Sequence, residues 1–171
     1  MRTLILSVSD QALTEGSINN EGPFTDGRVS VAVARGLHAK LDDPAIDIIE
    51  TTPEGMDFLG IVVGYHKVVV VDCVNGNDCE IGELRRLGLE HLELAARQLD
   101  DNETEYRATV PMPETGGAAV PHEISIYAIE VGGADSAAVA GGERAREAVP
   151  RLIDQIAREE FGARVPADER L

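Results

Sequence analysis

At 171 residues and 43% hydrophobic content, the chain is long enough for one domain with a substantial core. Its formal charge of −16, from 31 acidic against 15 basic residues, works against nucleic acid and anionic membrane as partners. No apolar run approaches the roughly 18 residues of a membrane span, and Met1-Arg2-Thr3 leads straight into a short apolar run without a secretory leader, so a cytoplasmic protein is expected.

Thr3–Val8 reads as the first strand. Residues 9–28 form a long polar loop with Glu15-Gly16, Asn19-Asn20, Gly22-Pro23 and Asp26-Gly27, and loops of this length usually carry function. Residues 29–41 place Val29, Val33, Leu37 and Leu41 at helical spacing. Residues 45–50 read as a second strand and 55–65 as a short apolar helix. Lys67–Val74 follows, with four consecutive valines and then Asp72; such a β-branched run between turn residues is a strand buried on both faces. Residues 75–82 are turn-rich, and residues 84–99, with leucines at 84, 87, 92 and 99, predict an amphipathic helix. Residues 100–120 look like an inserted surface loop, acidic and then rich in Gly and Pro. Glu123–Glu130 is a further strand, and residues 137–161 are mostly helix, which Pro150 should start or kink. Residues 162–171 form a polar tail.

Alternation of strands and helices without an internal repeat or linker predicts a single domain over residues 1–171. The expected fold is a three-layer α/β/α sandwich around a mostly parallel central sheet, phosphorylase/hydrolase-like. With no Trp, its core must be built from Val, Ile, Leu and Ala. Only Lys40 and Lys67 among the bases are lysines, and an acid-rich, lysine-poor surface suggests a halophilic chain. Cys73 and Cys79 are too few for a disulfide framework and are not spaced as a zinc pair; Cys73 reads as core and Cys79 as a loop thiol.

Ligands of open parallel sheets bind beyond the carboxyl ends of the strands, where Asp72 sits. A carboxylate there must be paired, hydrogen-bonded or metal-bound; the plain structural role is to cap the following turn. The phosphate loop, the dinucleotide fingerprint, His-Glu-x-x-His and Gly-x-Ser-x-Gly are all missing from the sequence.

Five segments together resemble the hydrogenase maturation protease family, nickel-dependent endopeptidases that trim the C-terminus of the hydrogenase large subunit. Residues 1–10 are similar to the family's opening, where Gly-x-Gly-Asn usually closes the strand. Glu50-Thr51-Thr52-Pro53-Glu54-Gly55-Met56 resembles its Asp-Gly-Gly-Thr-x-Gly-hydrophobic segment. Lys67–Val74 resembles its strand ending in Asp-Ala-Val, which puts Asp72 on the metal-binding Asp. Residues 81–87 look like its Pro-Gly-Thr-Val-Tyr-Arg-Leu, and 148–153 like its C-terminal helix.

The resemblance implies three nickel ligands: an acid after the first strand, Asp72, and a His before the next helix. The acid is either Glu15, which keeps the offset from the N-terminus, or Asp26, which keeps the offset to the helix and is preferred because the helix must bring its own start to the sheet. Arg85 occupies the His position, and a guanidinium cannot ligate nickel. His91 is the nearest substitute, nearly two helical turns away on the expected helix; its plain reading is an ordinary surface His. The implied partner is a hydrogenase large-subunit precursor, which supplies the nickel. Two alternatives stand beside this endopeptidase: a non-catalytic relative serving as a binding or assembly factor, and a small-molecule enzyme on a related scaffold.

Overall fold

A computed structural model describes residues 1–9, 26–52, 57–74, 79–88, 121–132 and 138–162. Five strands form one sheet: β1 (Thr3–Val8), β2 (Ile46–Thr51), β3 (Lys67–Val74), β4 (Leu84–Leu87) and β5 (Glu123–Glu130). Their order is β2-β1-β3-β5-β4, every pairing parallel except that of β4 with β5. Among the described residues the helices are α1 (Asp26–Leu41), α2 (Phe58–Val62) and α3 (Ala138–Phe161).

β1 and β3 lie inside the sheet and are apolar on both faces. One face carries Ile5, Val69, Val71, Tyr127 and Ile129, packed with Val29, Val33 and Leu37 of α1 and Leu152 and Ile156 of α3. The other carries Leu4, Leu6, Val8, Val68, Val70 and Ile126, packed with Val62 of α2. Successive side chains of a strand point to opposite faces, so the uninterrupted valines of β3 fill both layers. Val68, Val69 and Val71 are fully buried and Val70 nearly so; burial on that scale contributes about 1.5–3 kcal/mol per side chain.

The expected helix over residues 84–99 begins instead as an edge strand. Leu84 packs on the α1/α3 face and Leu87 on the α2 face. Residues three apart share a helix face but lie on opposite strand faces, and β4 uses the second arrangement. Residues 89–99, like the insertion at 100–120 and the tail from residue 163, lie outside the described residues.

α3 runs through Pro150 without ending there. Pro150 is solvent-exposed, where water can serve the carbonyl that its missing N–H leaves without a helical donor. Gly162 follows the helix at φ 58°, a left-handed stop that costs a glycine little, and its N–H bonds the Arg158 carbonyl at 3.2 Å. Among the described residues, no helix is long and apolar enough to cross a membrane.

Candidate functional site

The chain leaves β1 toward β2 on one side and returns to β3 on the other. That reversal opens a crevice at the carboxyl ends of β1 and β3, the position where open α/β sheets bind ligands. Asp72 lies on β3 at this end and is half-buried. Strand alternation turns it to the α2 face, with Val70. Its Oδ1 accepts the Cys73 N–H at 2.7 Å, which fixes the carboxylate against its own backbone.

α1 starts beside the same crevice. Ser30 is buried in its second turn and donates to the Val8 carbonyl at the end of β1, at 2.9 Å. Asp26 is the first residue of α1, one turn earlier, so its backbone also lies at the carboxyl end of the sheet. Glu15 and His91 lie outside the described residues. Among the described residues, no group of three or more His, Cys, Asp or Glu converges on one point.

Two strands beyond Asp72 is Arg85. The register pairs Asp72 with Ala128 and Ala128 with Arg85, so the three form one row across β3, β5 and β4 on the α2 face. Within that row, Ala128 is the residue between the two charged ones. Arg85 Nη2 donates to Glu130 Oε2 at 3.3 Å, and the Gly132 N–H reaches the other Glu130 oxygen at 3.4 Å. The Glu130 side chain is fully buried, so its charge requires such partners. Among the described residues, two buried polar side-chain atoms have no hydrogen-bond partner, Ser7 Oγ on β1 and Arg85 Nε on β4, and both lie toward the carboxyl end of the sheet.

The turn before β4 sets Arg85 in place. Gly82 is buried at φ 85°, and a side chain there would meet the Ala148 Cβ of α3 at 2.8 Å. Its carbonyl accepts from Arg151 Nη2 at 2.8 Å, and its N–H donates to the Glu130 carbonyl at 2.7 Å.

Other reactive side chains have plainer roles. His38 bonds the Ile46 carbonyl at 3.0 Å. His66 and His122 contact each other, ring centroids 4.9 Å apart, at the amino ends of β3 and β5, the far end of the sheet from Asp72. Cys73 packs against the core. Burial pushes the Cys79 thiol above its ordinary pKa; Arg85 pulls it down, and Glu83 and Glu130 push it further up. A protonated thiol is a poor nucleophile.

Glu130 and the strand character of Arg85 escape a reading of the sequence alone. The signal for Glu130 was present: an acid between Ile129 and Val131 in an otherwise apolar run is a buried acid, and a buried acid needs a cation nearby.

A family model described as HycI, hydrogenase maturation protease, matches residues 31–159. No curated protein sequence matches the chain. The fold is similar to that of the hydrogenase maturating endopeptidase HybD from E. coli, with a TM-score of 0.54 and 16% identity over 95% of this chain and 94% of that one. It is also similar to an endopeptidase from Escherichia coli solved in solution, with a TM-score of 0.53 and 16% identity over 93% of each chain.

Proposed function

The chain belongs to the hydrogenase maturation protease family, and from that premise we propose that it is a cytoplasmic endopeptidase removing the C-terminal extension of a nickel-containing hydrogenase large-subunit precursor. The observation that carries the proposal is the family match over residues 31–159, which runs from α1 through β3 and β5 into α3 and includes Asp72.

In this reading the nickel arrives with the precursor and is part of the substrate. Asp72 meets it from β3. The acid from the β1–α1 connection, Asp26 or Glu15, is the second ligand, and His91 is the candidate for the third. Carboxylate and imidazole both suit divalent nickel. These side chains would hold the precursor's ion at the strand ends, where it would supply polarisation of the scissile carbonyl or of the attacking water.

A second reading keeps the partner and drops the chemistry. Arg85, which the resemblance puts at the family's His position, is engaged with buried Glu130 and cannot ligate a metal. A chain with a reduced ligand set would bind the precursor without cutting it.

The test is cleavage of a nickel-loaded precursor by the wild type and by Asp72→Ala. Metal polarisation supplies several kcal/mol of transition-state stabilisation, so the variant should lose about 100-fold or more in kcat/KM. Its circular dichroism melt should stay near wild type, because Asp72 is only half-buried. Wild-type protein that binds the precursor and leaves it intact would establish the second reading instead.

A further inference from the structure

The Arg85 guanidinium is only partly committed. Among the described residues it makes one long bond to Glu130 at 3.3 Å and its buried Nε has no acceptor, while its side chain is 40% exposed. Arg35 of the same chain shows the committed form: Nε and Nη2 grip the two oxygens of Glu50 at 2.5 and 2.9 Å. A guanidinium carries five donors in a rigid fork, so Arg85 holds most of its capacity in reserve.

What the reserve suits follows from charge. Glu130 already supplies the counter-ion from a fully buried position. The pair is close to neutral, and its remaining donors suit a neutral acceptor better than a second carboxylate. A main-chain carbonyl is such an acceptor.

The row geometry gives the reach. Adjacent strands lie roughly 4.8 Å apart, so the Asp72 and Arg85 α-carbons, two strands apart, are separated by about 10 Å. An extended peptide advances about 3.4 Å per residue and crosses that span in about three. Resting on the endopeptidase reading above, we propose that Arg85 is a substrate-binding residue, donating to a main-chain carbonyl within about three residues of the bond held at Asp72. Glu130 positions it by fixing one edge of the guanidinium. Arg85 thereby sets which stretch of the extension lies over the strand ends, and its contribution is to binding rather than to the chemical step.

The experiment uses the full chain and a nickel-loaded large-subunit precursor. Arg85→Lys keeps a cation for Glu130 but loses the fork. The double variant Arg85→Met with Glu130→Gln removes both charges together. Each should raise KM by about 10-fold, the worth of one well-placed hydrogen bond, with kcat within about twofold of wild type. Calorimetry in the Asp72→Ala background should show the same weakening of precursor binding. A KM that stays at the wild-type value while the melting temperature falls would reduce Arg85 to a staple between β4 and β5 and overturn the proposal. Failure of a charge-neutral double variant to fold leaves Arg85→Lys to decide. Binding that depends on Arg85 without any cleavage by the wild type would retain this residue's role and remove the endopeptidase reading. A wild type that neither cuts nor binds the precursor would remove both.

Discussion

Glu160 holds the end of α3 to the sheet. Its side chain is 2% exposed; Lys67 Nζ lies 2.9 Å from one oxygen and the Tyr127 hydroxyl donates to the other at 2.6 Å. Burial opposes charge on Glu160, but hydrogen bonds from Lys67, Tyr127 and Ser125 outweigh it and hold the carboxyl below its ordinary pKa. Burial likewise works against charge on Lys67, yet Glu160 and Glu123 hold its ammonium above the usual range. The two shifts have opposite pH signatures. A carboxyl depressed below its unfolded value of about 4.3 contributes fully above that pH and loses its contribution as pH falls through the folded value. A lysine raised above about 10.4 contributes fully below that pH and loses it as pH rises through its folded value. Glu160→Gln removes one of the two carboxylates on Lys67 and leaves it Glu123 and the residue-160 carbonyl, so it should cost about 1–2 kcal/mol at neutral pH. Urea denaturation from about pH 7 to pH 3 should then show a flatter acid limb than wild type. An unchanged limb would mean that Glu160 does not carry the acid sensitivity.

At the scale of elements, the informative piece is β4. Its antiparallel pairing with β5 gives Arg85 its register, and the Gly82 turn anchors it to α3. Gly82→Ala imposes a left-handed conformation on a residue with a Cβ, costing about 1–2 kcal/mol. It also drives that Cβ into Ala148. The expected loss is about 2–3 kcal/mol in chemical denaturation; a variant as stable as wild type would show that the turn tolerates other geometries. The same element marks where the sequence stops being legible. β1, β3 and β5 announce themselves as apolar runs longer than a half-buried strand would show, and α1 by its four-residue spacing. Leu84 and Leu87 are ambiguous, because an edge strand with apolar cover on both faces spaces them as a helix does. Asp72 stood out because it breaks a run of valines at the end favoured for ligands. Glu130 carries a weaker signal, an acid flanked by Ile129 and Val131, and only the register shows the Arg85 that partners it. Of the other expected ligands, Asp26 begins α1, whereas Glu15 and His91 lie outside the described residues.

Across the whole molecule the excess of acid is the dominant physical fact. A formal charge of −16 on 171 residues makes the compact state repel itself at low ionic strength. Added salt shortens the Debye length from about 10 Å at 0.1 M to about 3 Å at 1 M and relieves that repulsion. The melting temperature should therefore climb over this range in potassium chloride, a salt chosen to limit the surface-exclusion effects of sulfate. Replacing several exposed glutamates with glutamine should remove part of the rise. A melting temperature indifferent to chloride would end the halophilic reading. The sheet register also dictates an order of assembly. β3 meets its outer neighbour only when Lys67 is joined by Glu123, 56 positions further along the chain. Closing a loop of that length costs about 3.5 kcal/mol of chain entropy before any contact returns it, and β5 is the last strand in chain order to join the sheet. Asp72 and Arg85 are brought into one row by the β3–β5 seam, so a nascent or truncated chain that has not yet delivered β5 carries both residues and has no assembled site.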